Sequence, residues 1–161
     1  MIRIIAAIDE KRGLAKNGVQ PILIPSDLAY FRSKTFTYGG NVLVGKNTFL
    51  KDFHAQPLKG RNLFVLSSSL LQTAGITIVK DIPELLSIIE NTDLWVAGGA
   101  RIFTQFVEQG LADELYLTEI EKDFNCDQFF PEYKDKYKMK SSSKTQNEEG
   151  VTFSQKVYER I

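Results

Sequence analysis

Asp27 is the side chain in this sequence best placed to do chemistry. It stands two positions after Pro25 in the run Asn17-Gly18-Val19-Gln20-Pro21-Ile22-Leu23-Ile24-Pro25-Ser26-Asp27-Leu28-Ala29-Tyr30-Phe31-Arg32. There it opens a helical pattern, with Leu28 and Phe31 on or beside its own face. An ionised carboxylate on the apolar side of a helix is costly to bury unless cationic or donor groups meet it, and a ligand is one source of such groups. The plainer alternative is an acid of the first helical turn, favoured by the helix dipole by roughly 0.3–1 kcal/mol.

A second set of candidates sits where strand-like segments run into helical ones. At Ala97-Gly98-Gly99-Ala100-Arg101-Ile102-Phe103, paired glycines allow a backbone to approach a ligand just where a helix presents its free N–H groups, a geometry that attracts phosphate. Gly45-Lys46-Asn47-Thr48 ends another strand at glycine, and Ser67 and Ser68 follow the apolar run Asn62 to Leu66. Taken one at a time, these are ordinary turns and solvated loop residues. In an open α/β sheet, however, all three would converge at the carboxyl ends of the strands, where ligands bind. The chain has no Gly-x-Gly-x-x-Gly fingerprint. Lys46 with Ser67 and Ser68 offers a cation and hydroxyls rather than an acid, which suits a 2′-phosphate and therefore NADPH. One or two charge-assisted bonds of roughly 1.5–3 kcal/mol would favour NADPH over NADH by about 10- to 1000-fold.

Composition removes several other chemistries. The chain has 161 residues, 20 basic and 20 acidic, for a formal net charge of zero. That length fits one domain over residues 1–161, and that balance points to neither a nucleic-acid nor a membrane surface. No apolar run approaches the ~20 residues of a membrane span. Met1 leads straight into Ile2-Arg3-Ile4-Ile5 without a signal-peptide layout. The single cysteine, Cys126, cannot form an internal disulfide and suits a reducing cytoplasm. It is expected to be a small buried or half-buried side chain. One histidine, His54, is expected to be a solvated loop residue; with one Cys it cannot build a zinc site, so no metal is expected. A hydrolase triad would rest on His54 alone, without a Gly-x-Ser-x-Gly elbow.

The elements that must position these residues alternate. Strands are expected at Ile2–Ile8, Asn41–Gly45, Asn62–Leu66, Ile76–Val79, Leu94–Ala97 and Glu114–Glu121. Helices are expected from Ser26 to Phe36, from Pro83 through Ile89, and from Gly99 to a stop at Gly110. Asp9 to Gln20 reads as a polar loop. Tyr137–Lys140 and Val151–Tyr158 flank a polar stretch and read as a closing antiparallel hairpin. The implied class is α/β: a mostly parallel sheet with helices on both faces and an antiparallel edge.

Together these segments resemble dihydrofolate reductase over nearly the whole chain. Asn17-Gly18, Pro21, Pro25, Asp27 and Phe31 match the family's Asn-Gly-x-x-Pro-Trp-x-x-Pro-x-Asp-x-x-x-Phe, and Ile5-Ala6-Ala7 matches its first strand, which lines the pterin and nicotinamide pockets. Gly45-Lys46-Asn47-Thr48 is similar to its Gly-Arg-x-Thr, Pro57-Leu58-Lys59-Gly60-Arg61 to its Pro-Leu-Pro-Gly-Arg, and Tyr116-Leu117-Thr118 to its Tyr-Leu-Thr. Leu66-Ser67-Ser68 and Gly98-Gly99, a pair the family joins by a cis peptide, follow in order. The resemblance implies a dihydrofolate-reductase-like fold and NADPH-dependent reduction of 7,8-dihydrofolate to 5,6,7,8-tetrahydrofolate. Asp27 would bind the pterin, supported by Thr118, with Ile22 at the position of a tryptophan that holds a site water. Substrate contacts are implied at Ile5, Ala6, Ala7, Leu28, Phe31, Arg32, Leu58, Arg61 and Thr118, with Arg61 on the α-carboxylate. Cofactor contacts are implied at Ala7, Leu14, Gly45 to Thr48, Leu66, Ser67, Ser68, Lys80 and Ala97 to Phe103. Asp127 takes the acidic position that orders the active-site loop. The implied protein is a cytoplasmic monomer acting on a small molecule.

The sequence departs from that pattern at three places. Ile22 removes an indole donor, worth roughly 0.5–1.5 kcal/mol if nothing replaces it. Gln20 replaces an apolar residue in the loop that closes over the nicotinamide. The stretches at Gly39-Gly40 and Lys51 to Gln56 are longer than in compact bacterial members. Two other functions share features with this one. A reductase of a ribosylated pyrimidine in riboflavin synthesis would share the sheet and NADPH without the Pro25-Ser26-Asp27 clamp. A noncatalytic pterin-binding paralogue would bind ligand without oxidising NADPH.

Overall fold

The computed structural model describes residues 1–161. Its strands are β1 (Ile2–Ile8), β2 (Gly13–Ala15), β3 (Asn41–Gly45), β4 (Asn62–Leu66), β5 (Ile76–Val79), β6 (Leu94–Gly98), β7 (Glu114–Ile120), β8 (Gln128–Phe129), β9 (Tyr137–Ser142), β10 (Gln146–Glu148) and β11 (Val151–Arg160). The α-helices are α1 (Pro25–Thr35), α2 (Ile82–Ile88) and α3 (Ala100–Glu108). The main sheet has nine strands in the order β10-β11-β7-β1-β6-β3-β4-β5, with β9 also paired to β11. From β7 to β5 the pairings are parallel, and those of β11 with β7, β9 and β10 are antiparallel. This is the expected mostly parallel sheet with an antiparallel edge. No helix is long and apolar enough to cross a membrane.

The period-2 alternation of the strands sorts their side chains onto two faces. Ile4, Ile8, Leu43, Phe64, Leu94 and Val96 join the cluster capped by Leu85 of α2, by Ile89 just after it, and by Ile102, Phe103 and Phe106 of α3. Ile5, Val42, Val44, Leu63, Val65 and Trp95 face the opposite way, against Tyr30 and Phe31 of α1 and against Phe49. Burying side chains of this size contributes roughly 1.5–3 kcal/mol each, which makes the central strands a stiff platform.

The differences from the sequence-based elements have local causes. The loop from Asp9 to Gln20 contains β2, which pairs with β8, because buried Asp9 organises it. One Asp9 carboxylate oxygen accepts from Lys11 N–H at 2.8 Å and Gly13 N–H at 2.7 Å, and the other from Phe124 N–H at 3.0 Å. Gly13 has no room for a side chain: a Cβ there would lie 2.6 Å from that of Cys126. The polar stretch after β9 carries β10, which pairs with the start of β11. The stretches around Gly39-Gly40 and Lys51 to Gln56 contain tight turns. One is a 3₁₀ turn at Thr37–Gly39 with Tyr38 at φ 55°, the other a π-type turn at Thr48–Asp52 followed by His54 at φ 52°.

α1 is shifted by one residue from its expected bounds, Pro25–Thr35 rather than Ser26–Phe36. It has no continuous apolar stripe, and Thr35 is its one buried residue. Leu28 is 48% exposed, since Leu28, Tyr30 and Phe31 line a cavity rather than sealing against the core.

Candidate active site

The cleft arises where the sheet parts. β1 and β6 pair only from Ile2↔Leu94 to Ile4↔Val96, although β1 continues to Ile8 and β6 to Gly98. A bulge opposite Leu43 and Val44 then shifts β6 so that Val44 pairs with Gly98. β1 leads rightward in the sheet to β3, whereas β6 leads through α3 back to β7. The split is therefore a topological switch point, the usual seat of a ligand in an open α/β sheet.

Two cavities share this split. One, of about 500 Å³, is lined by Ile5, Ala6, Ala7, Asp27, Leu28, Tyr30, Phe31, Phe53, Ala97 and Thr118, with Val19, Gln20, Leu23, Thr48, Lys51, Asp52 and His54 around it. The other, of about 160 Å³, is bounded by Ala6, Ala7, Leu14, Asn47, Thr48, Ala97, Gly98, Gly99, Ala100 and Phe103. Ala6, Ala7, Gln20, Thr48, Lys51, Asp52 and Ala97 belong to both walls. Small alanines on β1 and β6 leave the two spaces in contact, so planar groups placed in each would meet there.

Asp27 is half-buried in the first turn of α1. Its Oδ1 accepts the hydroxyl of buried Thr118 at 2.5 Å. Burial pushes the Asp27 carboxyl above the ordinary carboxylate range and outweighs the opposing donors, Thr118 and Gln155, while the nearby Glu148 charge pushes in the same direction as burial. The phenol of Tyr30, one helical turn away, is pushed up to about 12 by burial, then by Tyr116 and Asp27. A carboxylate so placed is a strong acceptor for a donor pair entering the cavity.

The smaller cavity has the shape of a dinucleotide cradle. Gly98 and Gly99 are joined by a cis peptide. A Cβ on Gly98 would lie 3.1 Å from Thr48 Oγ1, and one on Gly99 3.2 Å from the same oxygen, so the bare backbone is what keeps this wall open. The N-terminus of α3 has no side-chain cap, which leaves its first N–H groups at the cavity wall beside Ala100. Phe103 is buried at the cavity wall, 5.3 Å from the Phe130 ring. These residues fit a nicotinamide dinucleotide.

The remaining expected residues fall in three places. Gly45 abuts Ile102, whose Cδ1 lies 3.1 Å from where a Cβ would be. Lys46 Nζ donates to Ser69 Oγ at 2.9 Å, while the Ser67 hydroxyl oxygen accepts from its own loop, at Ser69 N–H and Leu70 N–H. Half-buried Leu66 and exposed Ser68 complete this rim at the carboxyl end of β4; Lys80 follows β5, and Arg101 is exposed on α3. At the outer end of α1, Arg61 donates to Thr35 Oγ1 at 2.9 Å and its guanidinium carbon stands 4.5 Å from the Phe36 ring centroid, with Arg32 at 5.9 Å from the same ring. Burial, and then Arg32, lowers the Arg61 guanidinium from its usual value. Leu58 packs on the α1 side of the core nearby. Ile22 does not reach the Asp27 cavity; it packs beside Ile24, Ile120 and Phe153.

Several residues of the site carry no local signal in the sequence. Glu148 and Gln155 reach Asp27 from the C-terminal strands, and Gln155 does so because it pairs in register with Thr118. Lys51 and Asp52 enter on the π-type turn. Asp127 Oδ2 accepts the Asn17 N–H at 2.9 Å, tying the loop after β7 to the loop that flanks both cavities.

Comparison with known proteins agrees with this architecture. The profile of the family described as "Dihydrofolate reductase" matches residues 1–160. The dihydrofolate reductase of Bacillus subtilis (strain 168) is 35% identical over 135 residues, which cover 83% of this chain and 77% of that protein. The viral dihydrofolate reductase of Saimiriine herpesvirus 2 (strain 488) is 30% identical over 182 residues, covering 100% of this chain and 85% of its own. Among solved structures, dihydrofolate reductase from Enterococcus faecalis, complexed with NADP(H) and RAB-propyl, superposes with a TM-score of 0.85 at 28% identity. That match covers 99% of this chain and 96% of the other.

Proposed function

This chain belongs to the dihydrofolate reductase family and reduces 7,8-dihydrofolate to 5,6,7,8-tetrahydrofolate with NADPH; we propose that Asp27 is the residue on which the substrate is held and its protonation promoted. The observation that carries this reading is the half-buried Asp27 carboxylate, held by Thr118 and facing the larger cavity beside the split of β1 and β6.

In this reading the pterin occupies the larger cavity. Asp27 accepts hydrogen bonds from its amino group and a ring N–H, with Ile5, Ala6, Ala7, Leu28 and Phe31 walling the ring. The negative charge raises the basicity of the imine nitrogen, which takes its proton through water. NADPH supplies the hydride. The Gly98-Gly99 backbone, Thr48 and Phe103 line its side of the split, while Lys46, with Ser69 beside it, offers the cation for a 2′-phosphate. The shared alanines allow donor and acceptor carbons to approach, which is where orientation lowers the barrier. Arg61 and Arg32, together at the far end of α1, suit the substrate's carboxylate tail. We further propose a single domain acting as a cytoplasmic monomer that engages no nucleic acid.

The test is a spectrophotometric assay of NADPH oxidation, run with dihydrofolate and in parallel with NADH. Saturable oxidation that collapses in Asp27→Asn supports the assignment of Asp27; full turnover by that variant at pH 7 would sink it.

A further inference from the structure

Glu148 sits on β10, in the polar stretch of the C-terminal hairpin, yet it acts on the start of α1. Its Oε2 accepts the backbone N–H of Ser26 at 2.9 Å. α1 has no cap of its own: Ile24 makes no side-chain cap bond, and Pro25 follows at once without an N–H to offer. An acid from a distant strand thus caps the helix one residue ahead of Asp27. Carboxylates at helix N-termini are favoured by the local dipole, which explains why this anion is held there.

We propose that Glu148 is a positioning residue for the reduction, tying the β10–β11 hairpin to the first turn of α1 and setting, through its charge, the pH range in which Asp27 works. The proposal rests on the role assigned to Asp27 above. The groups that face Asp27 are known element by element. Thr118 on β7 and Gln155 on β11 favour its charged form, and Glu148 on β10 opposes them. Tyr30 lies on its own helix, and Lys51, Asp52 and His54 stand across the cavity. Of these, Glu148 is the one whose charge bears on the Asp27 carboxyl. Ile22, an aliphatic residue packed into the neighbouring apolar cluster, offers the carboxyl no polar atom. Like charges held close raise one another's affinity for a proton, so Glu148 keeps Asp27 more basic than Thr118 and Gln155 alone would leave it.

Two variants separate charge from anchoring. Glu148→Gln keeps an oxygen for the Ser26 N–H and removes the charge; Glu148→Ala removes both. The Asp27 carboxyl is followed by carbon NMR in the intact protein, and the pH profile of hydride transfer is measured alongside. The titration midpoint of Asp27 and the catalytic profile are expected to move to lower pH in both variants, with a lower Tm only in Glu148→Ala. Glu148→Asp, which keeps the charge, should hold the profile nearer the parent. An unmoved Asp27 titration in both Gln and Ala variants overturns the proposal, as does a moved titration with an unmoved catalytic profile. A fully active Asp27→Asn enzyme would overturn the reading of Asp27 itself, and the NMR titration distinguishes the two failures.

Discussion

Thr118 and Asp27 are 91 positions apart in sequence, yet the Thr118 hydroxyl donates to Asp27 Oδ1 at 2.5 Å. The bond exists because β7 lies beside β1 in register, Ala7 against Thr118, which carries the threonine to the cavity floor. Thr118→Val keeps the shape and deletes the donor. A hydrogen bond to a charged group contributes roughly 1.5–3 kcal/mol, so this variant should lose stability of that order at neutral pH. Because Thr118 favours the ionised carboxyl, its loss pushes Asp27 further up. The destabilisation should therefore shrink as pH falls through the Asp27 titration, which urea unfolding across pH will show. A pH-independent loss would contradict this account.

Asp27→Asn should separate activity from stability. Positioned acid–base groups contribute typically about 10²–10⁴-fold, and a loss of kcat/KM in that range is expected at pH 7. Stability should move the other way. The folded-state carboxyl lies above its unfolded value because burial is the largest influence on it. Its favourable contribution is thus complete below the unfolded pKa and lost as pH rises through the folded one. Asparagine escapes that loss. The variant should match the parent in acid and melt at an equal or higher temperature at pH 7, as calorimetry at the two pH values would reveal.

Gly98→Ala tests the cofactor wall. Gly98 has φ 148°, and an added Cβ would lie 3.1 Å from Thr48 Oγ1 and 3.3 Å from Thr48 Cγ2. Strain of this kind amounts to about 1–3 kcal/mol, so both a lower Tm and a higher KM for NADPH are expected. Pairing it with Thr48→Ala removes both of the close atoms. The double variant should then recover part of the Tm, leaving only the backbone component. Strict additivity of the two substitutions would show that the clash is not the cause.

How much of this was legible in the sequence depended on the range of the interaction. The near-continuous apolar runs Ile2–Ile8 and Leu94–Ala97 announced buried strands, and both occur, with β6 one residue longer. Asp27 stood out through its immediate neighbours. Its helix follows the expected bounds to within a residue, and Leu28 and Phe31, expected as substrate contacts, line the cavity. Glu148 and Gln155 were illegible because pairing register, not local pattern, brings them to Asp27. Lys51 and Asp52 were hidden in the same way: a π-type turn, with no periodicity to betray it, aims them into the cleft. Ser69 was missed by one position beyond Ser67 and Ser68, since Ser67 spends its hydroxyl oxygen on its own turn and leaves Ser69 to meet Lys46.

Lys46 offers a prediction about cofactor choice. It follows Gly45 at the end of β3, half-buried, with its ammonium group 2.9 Å from Ser69 Oγ on the loop after β4. Those two strands pair in parallel from Asn41↔Asn62 to Gly45↔Leu66, so the two loops leave the sheet side by side. A 2′-phosphate received there would gain a charge-assisted bond that a 2′-hydroxyl cannot fully use. Lys46→Ala should therefore weaken NADPH far more than NADH. At roughly 1.5–3 kcal/mol for the bond, the ratio of kcat/KM for the two cofactors should fall by about 10- to 150-fold, mainly through KM for NADPH. Ser69→Ala should lower the ratio by less, because it removes a neighbour of the cation and not the cation. An unchanged ratio in Lys46→Ala would place the 2′-phosphate elsewhere on the rim, with Lys80 and Arg101 the next cations to substitute.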